Sequence, residues 1–264
     1  MLEIGKQNAA SRTGGFNTSD LQTNLKYKMR LLGGLASTEV GALWQQILGD
    51  GPVSVKVREE YGHHVKCGVR CSYERDGRDD NILPTRGNYT RISTEAAGFL
   101  GDAHHLKVDC QVQRVRRLPI LGYTGSLTLR AGLLHSKSKS WITDRFFVGG
   151  PGSVRGFYED GISRPVGGTC HWGAGLSLYR GLPFSPYIWG LGPHIRLHHF
   201  VNAGNLVSSA GEVFEKCRVS VGSGLIVKVG SVMKMEVNYA VPVRFQPGDA
   251  VNHGLQFGIG VNFM

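Results

Sequence analysis

The chain has 264 residues, a formal net charge of +10 and 38 glycines. The glycines are spread along the chain, which excludes a collagen-like repeat or a linker and suits the bends and turns between many strands. The basic residues are scattered rather than grouped in one block, which argues against a nucleic-acid partner. No apolar run is long enough to predict a transmembrane helix. Residues 1–20 are polar and predict no signal peptide.

In chain order, the sequence predicts twelve or thirteen β-strands with no helical domain between them. The dominant hydropathy period is two, which is typical of strands with one apolar and one polar face. The first predicted strand has the weakest pattern. The predicted strands cover residues 2–10, 20–31, 35–47, 52–61, 63–75, 88–100, 104–116, 122–134, 166–180, 193–203, 217–228, 231–242 and 253–263.

Alternating segments allow two all-β architectures. The clearest alternation is in Val53–Arg58, Leu106–Gln113, Leu127–Leu133, Met233–Val241 and Leu255–Phe263. A soluble sandwich would bury the apolar faces, whereas a membrane barrel would turn them to lipid around a polar lumen. Many segments run about 9 to 13 residues, the length that a tilted strand needs to cross a bilayer. Soluble strands are more often about 5 or 6 residues long, so the lengths favour the barrel.

The widest gap between predicted strands covers residues 135–165. It contains Phe146–Gly161, a stretch with five glycines, one proline and a single arginine. The glycines permit backbone turns that other residues avoid, and a loop this long in a compact fold is usually functional. The alternative is a disordered surface loop. The candidate functional residues of this loop are Phe147, Gly149, Gly150, Val154, Arg155, Gly156 and Phe157.

Cysteine and histidine residues predict neither a disulfide framework nor a metal centre. The five cysteines are an odd number with no pattern of paired zinc ligands, so we expect free thiols. Histidine pairs occur at His63–His64, His104–His105 and His198–His199. Neighbours in a strand point to opposite faces, so a pair cannot chelate from one face. No G-x-S-x-G elbow is present, and we expect no cofactor and no enzymatic activity.

Two motifs resemble the outer-membrane β-barrel assembly family, to which bacterial BamA and the core barrel subunit of the mitochondrial sorting and assembly machinery belong. Phe147–Gly150 followed by Val154–Phe157 is similar to the family's loop signature. The C-terminal segment resembles the mitochondrial β-signal at Gln256, Gly258, Val261 and Phe263. Three further segments resemble the mitochondrial member: Ile82–Gly87, Gly181–Phe184 and Phe200–Asn205.

This resemblance implies a transmembrane antiparallel β-barrel of the outer-membrane assembly type. It also implies that the long loop folds back into the lumen, where its Arg-Gly-aromatic tip packs against the inner wall. The wall positions that match the family's acidic contacts are Ser177 and Asn202, which are neutral. We therefore expect Arg155 to bond backbone carbonyls or hydroxyls.

The function that the resemblance implies is insertion and assembly of β-barrel proteins in the mitochondrial outer membrane. The last strand would form one side of a lateral gate, where an incoming strand pairs with an open edge. The implied partners are β-barrel precursors, outer-membrane lipids and peripheral sorting and assembly subunits. Three alternatives stay open: an ordinary closing strand that serves as the chain's own insertion signal, a passive or degenerate barrel or pore, and a soluble β-sandwich binding module.

One departure from the family concerns the extent of the chain. Family members carry soluble POTRA modules before a barrel of about sixteen strands, and we expect residues 1–264 to form a single barrel domain without such a module. The first three or four strands of the family barrel have no counterpart in the predicted set. A fragment, a shortened isoform, a degenerate duplicate or a barrel with a non-standard first strand would each fit.

Overall fold

The fold is a single antiparallel sheet of twelve strands, in which each strand pairs with the next one in sequence. The computed structural model describes residues 2–10, 16–49, 54–119, 122–137, 140–163, 166–182, 194–230 and 233–260. The strands are β1 Leu2–Ala10, β2 Phe16–Leu31, β3 Gly34–Gly49, β4 Gly62–Asp76, β5 Gly87–Gly101, β6 His105–Arg117, β7 Thr124–Ser136, β8 Cys170–Gly181, β9 Ile195–Val207, β10 Arg218–Val229, β11 Met233–Arg244 and β12 Gly254–Gly260.

Long strands joined by tight turns produce this meander. β2 and β3 pair without a break from Phe16–Gly49 to Leu31–Gly34. The connecting residues Leu32 and Gly33 have φ angles of 49° and 76°. Positive φ at both central positions is the geometry of a type I′ turn, whose twist matches that of paired strands. The turn therefore fixes the register of two strands of 16 residues each.

The two faces of the sheet are inverted relative to a water-soluble protein. On β11 the polar side chains of Lys234, Glu236 and Asn238 are buried, whereas Met235 and Tyr239 are 41% and 51% exposed. The same alternation holds on β7 and β12. We call the polar, buried face the inner face and the apolar, exposed face the outer face. An apolar outer face on alternate residues is what contact with lipid requires, and it excludes the sandwich with a buried apolar interior.

One predicted strand is wrong. Within the predicted segment 52–61, residues Val55–Arg58 form a short helix, α1. Its one buried side chain, Val57, packs against a cluster formed by Phe16, Ile47 and Ile142. An alternation this short leaves the conformation to tertiary contacts. The contact that orients this segment is the Glu60 carboxylate, which accepts hydrogen bonds from the Ile142 N–H and from Arg145.

Contacts between strands that are not neighbours in the sheet indicate that the sheet curls around its inner face. The connection between β4 and β5 reaches β8, β9 and β10, and the segment between β7 and β8 reaches both β4 and β11. Within the described ranges no ladder joins β1 to β12, so each is an edge strand there. No helix in the same ranges is long and apolar enough to cross a bilayer.

Candidate functional site on the inner face

The candidate site is built around the long segment between β7 and β8. We call residues 140–163 and 166–169 the inner loop. Short antiparallel bridges fold this loop onto itself, between Phe146 and Gly168 and between Val148 and Ile162. β8 begins only at Cys170, four residues after the predicted start, because Gly168 pairs with Phe146 rather than with β7.

A small apolar core holds the inner loop against the inner face. The loop side chains Val148, Val154, Phe157 and Ile162 are buried. They form one cluster with Leu134 of β7, Leu206 of β9 and the loop residue Phe146. Burial of several large apolar side chains is the main source of stability for such a segment, so the inner loop is a packed element on the inner face.

Two glycines of the loop signature have backbone conformations that other residues avoid. Gly149 and Gly156 have φ angles of 129° and 86°. A Cβ atom on Gly149 would lie 2.6 Å from the backbone of Gly161, and one on Gly156 would lie 3.1 Å from Ser220 of β10. Glycine at these positions lets the loop reverse and lets its tip approach the wall closely.

The side chain of Arg155 is fully buried at the tip of the inner loop. Its Nε and Nη2 atoms donate to Oε2 of Glu236 on β11 at 3.1 and 2.7 Å. Nη1 donates to Oδ1 of Asn202 on β9 at 3.4 Å. The guanidinium also lies over the ring of Phe200, 4.9 Å from its centroid. A carboxylate, an amide and an aromatic face together replace the water that this cation loses.

The carboxylate partner corrects the expectation that Arg155 would bond carbonyls or hydroxyls. The predicted wall residue Asn202 contacts the guanidinium, whereas the hydroxyl of Ser177 is engaged with Nε2 of His198 at 3.2 Å. A signal for the true partner exists in the sequence, because Glu236 is the only acidic residue in strands β8 to β12. A buried guanidinium near these strands has one carboxylate available for pairing.

Glu236 is itself held by two further residues of β11. The side-chain amide of Asn238 donates to Oε2 at 3.0 Å, and Nζ of Lys234 lies 3.2 Å from Oε1. The carboxylate therefore faces one cation from the inner loop and one from its own strand. The contacts with Asn238 and Lys234 hold Glu236 in place on β11 independently of the loop tip.

The backbone of the loop tip is bonded to β12. Oε1 of Gln256 accepts a hydrogen bond from the Gly156 N–H at 2.8 Å, and Nε2 donates to the carbonyl of Phe157 at 3.0 Å. Just before β12, the Asn252 N–H donates to the carbonyl of Gly156 at 2.9 Å, and Phe157 forms an antiparallel bridge with Val251. One buried glutamine thus links the last described strand to the loop signature.

The base of the inner loop is anchored to different strands of the same inner face, β4, β5 and β6. Nζ of Lys66 on β4 lies 2.6 Å from Oδ1 of Asp144 and 3.0 Å from Oε1 of Glu95. His105 lies 3.3 Å from the same Glu95 oxygen, and Nζ of Lys107 donates to the carbonyl of Asp144 at 2.7 Å. The inner loop therefore extends from β4, β5 and β6 at its base to β9, β11 and β12 at its tip.

This base cluster also has the composition of a metal site. Ligand atoms of Glu95, His105 and Asp144 lie within 4.8 Å of one another. The ammonium group of Lys66 bonds both carboxylates, however, and so supplies the positive charge that a divalent cation would bring. We interpret the cluster as the ionic anchor of the loop base.

The connection between β4 and β5, residues 77–86, is a second element on the inner face. Its side chains Ile82 and Leu83 are buried. Arg196 of β9 donates to the carbonyl of Leu83 at 3.0 Å, and Lys228 of β10 is paired with Asp80. The apolar contacts of the connection are with Tyr179 of β8 and Ile226 of β10.

Hydrogen bonds within this connection depress the pKa of a carboxyl group. Burial disfavours the charged form of Asp79, but donors outweigh it and lower the pKa of Asp79 to about 2. The donors are the hydroxyl and N–H of Thr85 and the N–H of Arg86. The ionised carboxylate therefore stabilises the folded connection.

The remaining sequence-predicted site residues lie in the inner loop, in β12 or outside the described residues. Phe147, half-buried, packs against the cluster that contains Val57, and Gly150 has a φ angle of 92° in the same reversal as Gly149. Gly258 lies in β12, opposite Glu236 of β11. Val261 and Phe263 lie outside the described residues.

Comparisons with known proteins agree with this architecture. The model of the Omp85 superfamily domain matches residues 6–263. The chain is 38% identical over 228 residues to the sorting and assembly machinery component 50 homolog of Bos taurus, covering 80% of this chain and 48% of that protein. A SAM50-like protein of Schizosaccharomyces pombe is 34% identical over 246 residues, covering 84% of this chain and 50% of that protein. The chain thus spans about half the length of these relatives.

Solved structures show the same fold. BamA from Haemophilus ducreyi lacking POTRA domains 1–3 superposes with a TM-score of 0.80 at 14% identity, covering 97% of this chain and 57% of that one. CdiB from Acinetobacter baumannii superposes with a TM-score of 0.61 at 12% identity, covering 92% and 41%. The predicted all-β fold of the outer-membrane assembly type is confirmed. The family consists of assembly factors rather than enzymes, and the chain belongs, from residue 6 to residue 263, to the Omp85 superfamily.

Proposed function

We propose that this chain takes part in the insertion and assembly of β-barrel proteins in the mitochondrial outer membrane. The proposed mechanism is strand templating: an incoming strand pairs with the open edge of β12, which forms one side of a lateral gate. Its partners would be β-barrel precursors, outer-membrane lipids and peripheral sorting and assembly subunits. The likeness to sorting and assembly machinery components supports this proposal.

The observation that carries the proposal is the position of β12. One edge of β12 is paired with β11, and within the described residues no strand occupies its other edge. Unpaired N–H and C=O groups of an edge strand can pair with another chain. In lipid this pairing is strongly favoured, because an unsatisfied backbone group costs several kcal/mol.

The inner loop would keep this edge strand in a fixed register. Gln256 lies at the polar position of the β-signal pattern, and its side chain is bonded to the loop tip rather than to a neighbouring strand. A one-residue slip of β12 would turn Gln256 to the lipid side. The loop tip therefore supports a templating edge with one defined register.

Site-specific crosslinking tests the proposal. Single cysteines are placed at positions along Gly254–Gly260 in a variant without the five native cysteines, and crosslinks are collected in mitochondria that import a β-barrel precursor. A cysteine at Leu225, on the outer face of β10, is the matched control because β10 is paired on both sides. We expect crosslinks from β12 to the last strand of the precursor in a register-specific pattern that alternates along the strand. We expect none from Leu225.

Two results would count against templating. Crosslinks from β12 only to this chain's own β1 would mean a closed barrel and would end the assembly proposal for this chain. Stable ion conductance in planar bilayers, without any precursor contact, would favour the alternative of a passive pore. Resistance to carbonate extraction would test the membrane location separately, since a soluble module would be released.

A further inference from the structure

A cleft opens on the outer face beside a bulge near the end of β5. Gly68 of β4 lies opposite Ala97 of β5, but Lys66 lies opposite Gly101, so β5 has two more residues than β4 over this stretch and bulges out of the ladder. β6 begins at His105, which pairs with Ala97 of β5 and with Ser136 of β7, so among the described residues the bulge has no partner on the β6 side and leaves a gap there. The gap encloses about 340 Å³. We call this gap the rim cleft.

The floor of the rim cleft is apolar and continuous with the lipid-facing surface. Ala96 of β5 lies directly opposite Leu106 of β6, which lies directly opposite His135 of β7. The small Ala96 side chain leaves a depression beside Leu106, and Phe99 of the bulge, 67% exposed, forms a side wall. A long apolar chain fits this floor better than water does, because each buried methylene group adds to binding.

The upper end of the cleft is lined by nitrogen donors. His104, His135 and Lys137 line it, and within the described part of the chain none of the three forms an ion pair with a carboxylate. The carbonyl of His104 accepts a hydrogen bond from the hydroxyl of Ser136 at 2.8 Å, which fixes this rim. Gly98 permits the arrangement, since a Cβ atom there would lie 2.7 Å from Nδ1 of His104.

An apolar floor below a rim of nitrogen donors, at the end of the lipid-facing surface, matches one class of ligand. We propose that the rim cleft binds an anionic phospholipid, with the phosphate at His104, His135 and Lys137 and an acyl chain over Ala96 and Leu106. Basic groups near a membrane surface attract anionic headgroups. A free phosphate ion would use the rim alone and would leave the apolar floor uncovered.

Native mass spectrometry of the full chain in neutral detergent tests the proposal. Dioleoyl phosphatidylglycerol is added in fixed excess, with dioleoyl phosphatidylcholine as the comparison lipid. We expect preferential retention of phosphatidylglycerol, an about fivefold loss of retention for Lys137→Ala, and a larger loss for the triple variant His104→Ala/His135→Ala/Lys137→Ala. The control variant Lys28→Ala/Arg30→Ala/His63→Ala removes three basic side chains elsewhere and should retain the lipid.

Ala96→Trp separates a lipid from a free anion. This substitution fills the floor and leaves the three nitrogen-bearing side chains of the rim in place, so it should reduce lipid retention if an acyl chain occupies the cleft. Two results together would indicate a site for a free anion and would overturn the proposal. They are displacement of the lipid by millimolar inorganic phosphate and unchanged lipid retention in the Ala96→Trp variant. Equal retention of both lipids, or unchanged retention in Lys137→Ala, would overturn it as well. Lys137 is exposed, so that variant remains informative if the triple variant does not fold.

Discussion

The pair of Arg155 and Glu236 gives the most direct test of the inner-loop architecture. Replacing Arg155 with methionine removes the two hydrogen bonds to the Glu236 carboxylate, the bond to Asn202 and the contact with the Phe200 ring. Methionine retains much of the apolar length of the side chain, so the substitution mainly removes the charge. The expected result is detachment of the loop tip while the sheet stays folded.

The magnitude follows from the burial of the pair. Removing one partner of a buried ion pair costs about 3–5 kcal/mol because the other charge is left behind. Lys234 stays 3.2 Å from Glu236, so we expect the lower end, about 3 kcal/mol. That value raises the population of the detached tip roughly a hundredfold. In the double variant Arg155→Met/Glu236→Met no charge of the pair is left unpaired, and we expect a coupling energy of about 2 kcal/mol.

Chymotrypsin cleavage at Phe157 under native conditions measures this population. Phe157 is fully buried when the tip is docked, so its cleavage rate reports the open fraction when reclosing is fast. Heat-modifiable electrophoretic mobility confirms that each variant keeps its barrel. Arg180→Met is the matched control, since Arg180 also lies over a ring, that of Tyr123, but away from the loop. Strict additivity of the two single variants, or an increase below about tenfold in either, would refute the reasoning.

Three further predictions follow from other parts of the structure. Gly156→Ala forces a residue with a Cβ atom to a φ of 86°, with that atom 3.1 Å from Ser220. It should destabilise docking of the loop tip by about 1–2 kcal/mol. The same cleavage assay measures this, and an unchanged cleavage rate would contradict the docked tip. The low pKa of Asp79 predicts that its stabilisation is complete above the unfolded pKa of 3.8 and is lost as the pH falls towards about 2. Hydrogen exchange of the Thr85 amide should follow that window, and Asp79→Asn should remove the pH dependence. Leu129→Arg, on the outer face of β7, should destabilise the chain in bilayers by about 2–4 kcal/mol more than Leu129→Ala does, and equal unfolding midpoints would argue against lipid contact there.

Strand positions could be predicted from the sequence because alternation over a dozen residues determines which side chains lie on each face of the sheet. The segments around Leu106, Leu129 and Met235 are strands with their apolar side chains on the outer face, as lipid contact requires. Short segments were less informative. Val53–Arg58 has the same alternation as a strand, but three valines do not decide between one helical turn and one short strand when the neighbouring contacts come from the inner loop.

The inner loop could be located from its glycines and aromatic residues, whereas its partners could not be assigned. Which inner-face residue meets Arg155 depends on the relative shift of five strands, and a shift of two residues replaces Glu236 with Lys234 or Asn238. The base anchor at Asp144 was not predicted at all, because Lys66, Glu95 and His105 are close only after the sheet curls. Charge balance within a set of strands, rather than motif matching, would have identified Glu236.

The inverted sheet has a consequence for the order of events in folding. Along β7, β11 and β12 alternate residues lie on the apolar outer face, yet the mean hydropathy of the whole chain is only −0.14. The unfolded chain is therefore compatible with water, and no local stretch of it has strong affinity for a bilayer. A continuous apolar surface exists only after strands pair and sort their side chains to opposite faces. Folding and entry into the membrane are thus one event for this chain, and neither can be completed before the other.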